Sequence, residues 1–354
     1  MTRTNLSDAP ADLGDGWPVG DPMQAGLDRI ILADMRQRIA EGKLDNVHAV
    51  LIARNGALVY EQYSAGKDQN GLAAPAHVTF DAATRHNGNS ITKSVTSLLI
   101  GIALERRWIQ DLETPVFSYF PEYEDISTPE KQAITLRHLL AMSDGLDWLE
   151  LVPPYDSMRQ MREAPDPCRY VLERDLAMPP GRAFNYNSGA TELLAEILRR
   201  GTGKTIDVLA QQELFDPLGI SDVEWNRRFP NGDPQASGAL RARPRDFTKI
   251  GQLVLDRGIW KGLAIVSPSW IEQSTAPHNN GPGQFLYGYQ WWLGRSYCHG
   301  KVVEWIGAMG WAGQRLMILP ELDMVVLVHA WLPDRMNLPE SILLNQFILP
   351  AVRR

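Results

Sequence analysis

Ser90 and Lys93 are the residues of this chain whose types and spacing could do chemistry. They open the run Ser90-Ile91-Thr92-Lys93-Ser94-Val95, three positions apart, so a helix would set them on neighbouring points of one face. A serine hydroxyl attacks a carbonyl only when a base withdraws its proton. An ammonium cannot be that base until its surroundings favour the neutral amine. Burial supplies such surroundings, and Val95, Leu98, Leu99 and Ile102 would pull this helix inward. The start of a helix also directs free N–H groups and partial positive charge at the serine. The chemistry would be acyl transfer through Ser90. Spacing alone carries little weight, because Ser64 and Lys67 repeat it in a loop containing Gly66, where nothing fixes the two side chains. A helix-capping serine beside a surface lysine reads at least as well from this segment taken by itself.

Other chemistries find less support. Gly201-Thr202-Gly203-Lys204-Thr205 superficially resembles a phosphate-binding loop, but Leu198 stands where a further glycine is required and a helix precedes it in place of a strand. It reads as a helix end and a new helix start. No Gly-x-Ser-x-Gly elbow occurs. The seven histidines, His48, His77, His86, His138, His278, His299 and His329, show no paired metal-ligand spacing. His138 reads as a core histidine and His86 as a loop residue that could edge a cleft. Cys168 and Cys298 read as free thiols. No metal and no cofactor is expected.

The elements that would position Ser90 follow a distinct order. A helical pattern over 23–41 precedes two strand-like runs, 48–54 and 57–63, joined by the hairpin dipeptide Asn55-Gly56. From about 90 to 225 the pattern is helical, with helices at 91–107, 136–142, 191–200 and 206–214. Helices to about 255 and near Trp270 come next, then strands at 287–293, 302–305, 314–319 and 324–330, and a last helix over 339–349. Consecutive strands with short turns pair antiparallel, and the first hairpin must find partners among the last strands. The expectation is an α+β fold: an antiparallel sheet flanked by N- and C-terminal helices. Residues 1–89 and 226–354 would form the sheet domain and 90–225 an inserted, mainly helical domain, with the active site in the cleft between them.

A series of segments in one order sharpens this reading. From Ser90 the chain runs SITKSVTSLLIGIALERRWIQDLETPVFSYFPEY, ITLRHLLAMSDGLDW, PPGRAFNYNSG, LFDPLGI, RPRDFTKIGQLVLDRGIW, YGYQWWL and AMGWAGQRLMILPELDMVVLVHA. Together they resemble the β-lactamase-related serine hydrolases, above all the branch containing the 6-aminohexanoate-dimer hydrolases. They are also similar to class C β-lactamases and the carboxylesterases of that fold. The resemblance implies Ser90 as acylated nucleophile, Lys93 as its partner, and Tyr186 of Tyr186-Asn187-Ser188 as third catalytic residue, a phenol that exchanges a proton with both. Ser188 stands where class C β-lactamases have Asn, which argues against a lactamase. Ser143-Asp144-Gly145 resembles the Ser-Asp-Asn of class A enzymes, but its last residue differs and it reads as a turn. The Lys-Thr-Gly or His-x-Gly of the family's C-terminal strand is missing, and Ala308-Met309-Gly310-Trp311 stands in its place. The resemblance then implies the Trp311 N–H as second oxyanion donor after that of Ser90, with Trp305-Ile306-Gly307 the competing match. Tyr155 could reach the substrate or be an ordinary loop aromatic. Trp291, Trp292, Trp305 and Trp311 would be mostly core, with some forming an apolar acyl pocket.

The 354 residues are 44% hydrophobic and 22% charged, the balance of a soluble globular chain. A net charge of −7 without a basic stripe argues against nucleic acid and anionic membranes as partners. The N-terminus lacks the apolar stretch of a secretory signal, and no apolar run would span a bilayer, so a cytoplasmic location is expected. The partner is then a small ester or amide substrate, and a homodimer is compatible with all of this but not specified. Three rival readings remain open at this point: opening of β-lactams or cleavage of cell-wall peptides by the same residues, a binding module without catalysis, and an acyltransferase in which another nucleophile outcompetes water.

Overall fold

The structure, a computed structural model, describes residues 9–71, 73–150 and 155–353. Helix α1 (Arg29–Ala40) starts at Asp28, whose carboxylate accepts the Ile30 N–H, a donor that the helix itself leaves free. Strands β1 (Val47–Arg54) and β2 (Ala57–Tyr63) then form the expected hairpin. Its turn residues Asn55 and Gly56 sit at φ 53° and 74°, the left-handed region that this tight turn demands. Short strands β3 (Gly66–Asp68), β4 (Ala76–Val78) and β5 (His86–Asn87) lead into the long helix α2 (Ile91–Glu105).

A helical stretch follows: α3 (Leu136–Leu140), α4 (Ser157–Glu163), α5 (Pro167–Glu173), α6 (Ser188–Thr202) and α7 (Ile206–Ala210). Helices α4 and α5 were not expected from the sequence. Each starts on an aspartate, Asp156 or Asp166, that accepts the N–H three residues on. Asp166 followed by Pro167 is a local cap signal for the second of them. Strands β6 (Val223–Trp225) and β7 (Leu240–Ala242) flank β5 in a small sheet of order β5-β7-β6. Helix α8 (Pro244–Leu255), strands β8 (Ile259–Trp260) and β9 (Leu263–Ala264), and helix α9 (Pro268–Ser274) come next.

Six strands then complete the main sheet: β10 (Asn279–Asn280), β11 (Leu286–Tyr287), β12 (Trp292–Cys298), β13 (Lys301–Gly310), β14 (Gln314–Leu319) and β15 (Met324–Ala330). The order is β10-β11-β12-β13-β14-β15-β1-β2, antiparallel throughout, so the first hairpin does pair with the last strands. One expected strand, 287–293, is broken. Gln290 takes φ 65° and turns its backbone N–H and side chain to the carbonyl of Leu140, which ties the break to the end of α3.

Both faces of the sheet are covered, as two-sided burial in its strands requires. Ala49, Leu51, Leu316, Ile318, Val325 and Leu327 face α2 and α8 in one hydrophobic cluster. Val50, Ile52, Met317, Leu319, Val326 and Val328 face α1 and the C-terminal helical segment Pro339–Ile348 in another. No helix among the described residues is long and apolar enough to cross a membrane.

Candidate active site

Every residue of α2 from Ile91 to Ala103 is buried. The turn before it is held at its backbone: Gly88 donates to the Leu240 carbonyl, and Asn89 takes φ 47°. A Cβ on Gly88 would lie 2.7 Å from the Phe247 ring, so only glycine lets the chain pass there. Ser90 therefore stands at the first turn of a helix locked in the core, and the N–H groups of Ile91, Thr92 and Lys93 after it bond back to the carbonyls of Gly88, Asn89 and Ser90.

Lys93 is buried one turn later. Its Nζ lies 3.2 Å from Ser90 Oγ and donates to the Ser237 carbonyl at 2.8 Å. The same Nζ stands 4.9 Å from the centre of the Tyr186 ring. Ser90, Lys93 and Tyr186 are thus brought together from two helical regions that are almost a hundred positions apart. Ser64 and Lys67 are not comparably placed, because Lys67 points outward from β3.

Tyr186 precedes α6, whose cap Asn187 accepts the Ala190 N–H. The segment packs on the turn Ser143-Asp144-Gly145: Asn187 Nδ2 donates to Asp144 Oδ1, which also accepts the Leu146 N–H. Gly145 at φ 82° completes that turn. Burial pushes the Asp144 carboxyl up to about 6, with the N–H bonds opposing the shift in part. The Tyr186 ring stacks on Trp292 at 5.8 Å, and Phe184 and Tyr287 close round the same indole. Trp292 thus belongs to an aromatic wall beside Lys93, whereas Trp291 is wholly buried.

Ser188 is fully buried, and its hydroxyl and N–H both donate to Glu150, at 2.7 and 2.9 Å. Tyr155 lies at the surface, 65% exposed. Strand β13 reaches the nucleophile turn at its last residue. A Cβ on Gly310 would stand 2.3 Å from the Gly88 carbonyl oxygen and 3.1 Å from the Asn89 Cβ. Asn89 Nδ2 then donates to the Trp311 carbonyl at 3.0 Å, and Gln314 Nε2 donates to it as well. A Cβ on Gly307 would instead face the side chains of Trp305 and Met309, away from this turn.

Glu192 is a further residue of this site, outside the motifs that spacing picks out. It lies on the buried face of α6 and accepts the N–H groups of Ala236 and Ser237 at 2.8 and 2.9 Å. Ser237 is the residue whose carbonyl anchors Lys93. Burial pushes the Glu192 carboxyl up, while the Ser237 side chain, the Ala236 and Ser237 N–H groups and the charge of Lys93 hold it down. An acid amid Leu193, Leu194 and Ile197 is a signal that could have singled it out, since acids are rarely buried without partners.

The profile of the Beta-lactamase family matches residues 27–335. The chain belongs to the beta-lactamase family. Within it, the 6-aminohexanoate-dimer hydrolase of Paenarthrobacter ureafaciens is 25% identical over 324 residues, 86% of this chain and 76% of that protein. The lovastatin esterase of Penicillium rubens is 28% identical over 143 residues, 38% of this chain and 34% of the esterase. Among solved structures, EstCE1, described as a hydrolase with promiscuous acyltransferase activity, shares the fold. Its TM-score is 0.69 at 17% identity, with 86% of this chain and 93% of that one covered. The family resemblance read from the segments beginning at Ser90 is borne out, and the beta-lactamase family to which this chain belongs contains hydrolases with esterase members.

Proposed function

We propose that this protein is a serine hydrolase that forms an acyl-enzyme on Ser90 and acts on small carboxylic esters or short linear amides. The observation that carries the proposal is the placement of Lys93 Nζ, 3.2 Å from Ser90 Oγ and fixed from behind by the Ser237 carbonyl. Lys93 Nζ at that distance is within reach of the hydroxyl proton, and the phenol of Tyr186, whose ring stands beside it, offers a second group for proton transfer. Ser90 Oγ adds to the substrate carbonyl while its proton passes to Lys93, directly or through the Tyr186 hydroxyl, which hands its own proton on to the amine as it takes up that of the serine. The leaving alcohol or amine takes up that proton as the acyl-enzyme forms, and water repeats the cycle to release the acid.

The N–H groups of Ser90 and Trp311 serve as oxyanion donors in this proposal, each worth about 3–4 kcal/mol in the transition state. The contact of Gly310 with Gly88 supports Trp311 over the match three residues earlier. The aromatic wall of Phe184, Tyr287 and Trp292 favours an apolar acyl or leaving group. The esterase and dimer-hydrolase relatives support the ester and amide classes. We place the site in a cleft between an inserted helical domain, 90–225, and a sheet domain made of 1–89 and 226–354.

The test is turnover of p-nitrophenyl esters, nitrocefin and a linear amide dimer by wild type and Ser90→Ala, with fluorophosphonate labelling read by mass spectrometry. Ester hydrolysis should fall by roughly 10³-fold or more in the variant, with the label on Ser90 in the wild type. A label found on another residue, or a variant as active as the wild type, would refute the proposal.

A further inference from the structure

Behind the nucleophile turn the fold gathers three side chains from three strands: His48 on β1, Asp68 on β3 and His86 on β5. One ligand-type atom of each lies within 4.8 Å of the others, and all three residues are buried. His48 Nδ1 and His86 Nε2 face each other at 2.8 Å. The other nitrogen of His86, Nδ1, lies 3.1 Å from the Asn87 carbonyl, which can only accept. Nδ1 therefore carries the ring hydrogen, and Nε2 turns a lone pair towards His48.

Something positive must stand between the two rings, either a proton or a metal ion. If His48 Nδ1 carries the proton, His48 Nε2 becomes a bare lone pair, fully buried and without a hydrogen-bond partner. Such a group is costly to bury. Asp68 adds a buried negative charge beside these rings. Its Oδ2 accepts from Asn87 Nδ2 at 3.1 Å, and Arg241, one of the groups whose charge reaches it, is bonded to Glu224 at 2.6 Å. Two imidazoles and a carboxyl group gathered this closely form a donor set for a divalent ion.

We propose that His48 Nδ1, His86 Nε2 and the Asp68 carboxylate bind one divalent transition-metal ion of the zinc class. Imidazole and carboxylate ligands suit this class, and the His86 Nδ1–carbonyl contact is the outer hydrogen bond that metal-bound histidines make. Zinc–nitrogen bonds of about 2.0–2.1 Å set two ligand nitrogens about 3.3 Å apart across a tetrahedron, so the rings part by about half an ångström on binding. Water or a backbone carbonyl takes the remaining position. The glycine at 66 belongs to the site, because a Cβ there would lie 2.6 Å from His48 Nε2. Phe80 stacks on His48 at 4.5 Å and His329 on His86 at 4.3 Å, which keeps bulk water out. The ion ties β3 to β5, the strand that runs through Gly88 and Asn89 into Ser90. Its role is to hold that turn, and it does not depend on how Ser90 reacts.

The test uses the untagged full chain, unfolded, stripped with a chelator, and refolded with and without excess zinc or cobalt. The expected result is about one ion per chain after gel filtration, a higher melting temperature, and the visible absorption of low-symmetry four-coordinate cobalt. His48→Ala and Asp68→Ala should each lose the bound ion. The proposal is overturned if the refolded wild type holds no zinc or cobalt and melts at the same temperature, or if His48→Ala retains the ion. Should the variants fail to fold, the wild-type measurement decides alone.

Discussion

Glu192 is a buried acid that positions the lysine through another residue. It fixes the Ala236 and Ser237 N–H groups, and the Ser237 carbonyl in turn holds Lys93 Nζ. A glutamine in its place keeps the volume but turns one N–H donor towards another, so the Ser237 peptide must shift. Small displacements of a group in proton transfer are expensive in rate. Glu192→Gln should lower kcat for an ester substrate by roughly 10-fold or more with KM little changed, and move the acid limb of the pH–rate profile. Glu192→Asp should restore part of the rate. An unchanged pH profile would make Glu192 structural only.

Helix α2 shows how packing overrides propensity. Gly101 lies in its interior, where alanine would gain about 1 kcal/mol of helix preference. Yet a Cβ there would stand 2.1 Å from the Trp270 ring, and Trp270 is buried with its Nε1 bonded to the Ser97 carbonyl. The ring cannot move without losing that bond, and overpacking costs about 1–3 kcal/mol. Cost exceeds gain. Gly101→Ala should lower stability by about 1–2 kcal/mol, read from the denaturant midpoint at constant slope. A stabilised variant would mean that α9, which carries Trp270, moves freely against α2.

Stability of the whole fold towards pH has a contribution from Asp144, beneath the Tyr186 segment. Its folded-state carboxyl is raised to about 6 by burial, and Oδ2 has no hydrogen-bond partner. Below its ordinary value of 3.8 the acid is protonated in folded and unfolded chains alike, and it costs nothing. As pH rises from there through about 6, the unfolded chain ionises first and the folded state falls behind. Asp144→Asn, which keeps an oxygen for Leu146 and Asn187, removes that pH-dependent cost. The variant should gain up to about 3 kcal/mol over wild type at pH 7 and nothing near pH 3.5, measured as the difference between two melting curves. An equal gain at both pH values would show that Asp144 stays ionised in the fold.

The sequence by itself determined much of this molecule. Apolar periodicity and turn chemistry are local, so the hairpin at Asn55-Gly56, the buried helix after Ser90 and the strands 314–319 and 324–330 could be read directly. The order of strands and helices implied which strands must pair, and the motif series pointed to the family. What only the tertiary structure decided are contacts between residues remote in the chain. Glu192 holds Ser237, Gly310 presses on Gly88, Ser188 binds Glu150, and His48, Asp68 and His86 meet. The break at Gln290 belongs with them, since its cause is the end of α3 some 150 positions earlier. Spacing along a chain fixes neighbours on one element, whereas these partners are set by how whole elements stack. No local pattern of residues encodes that.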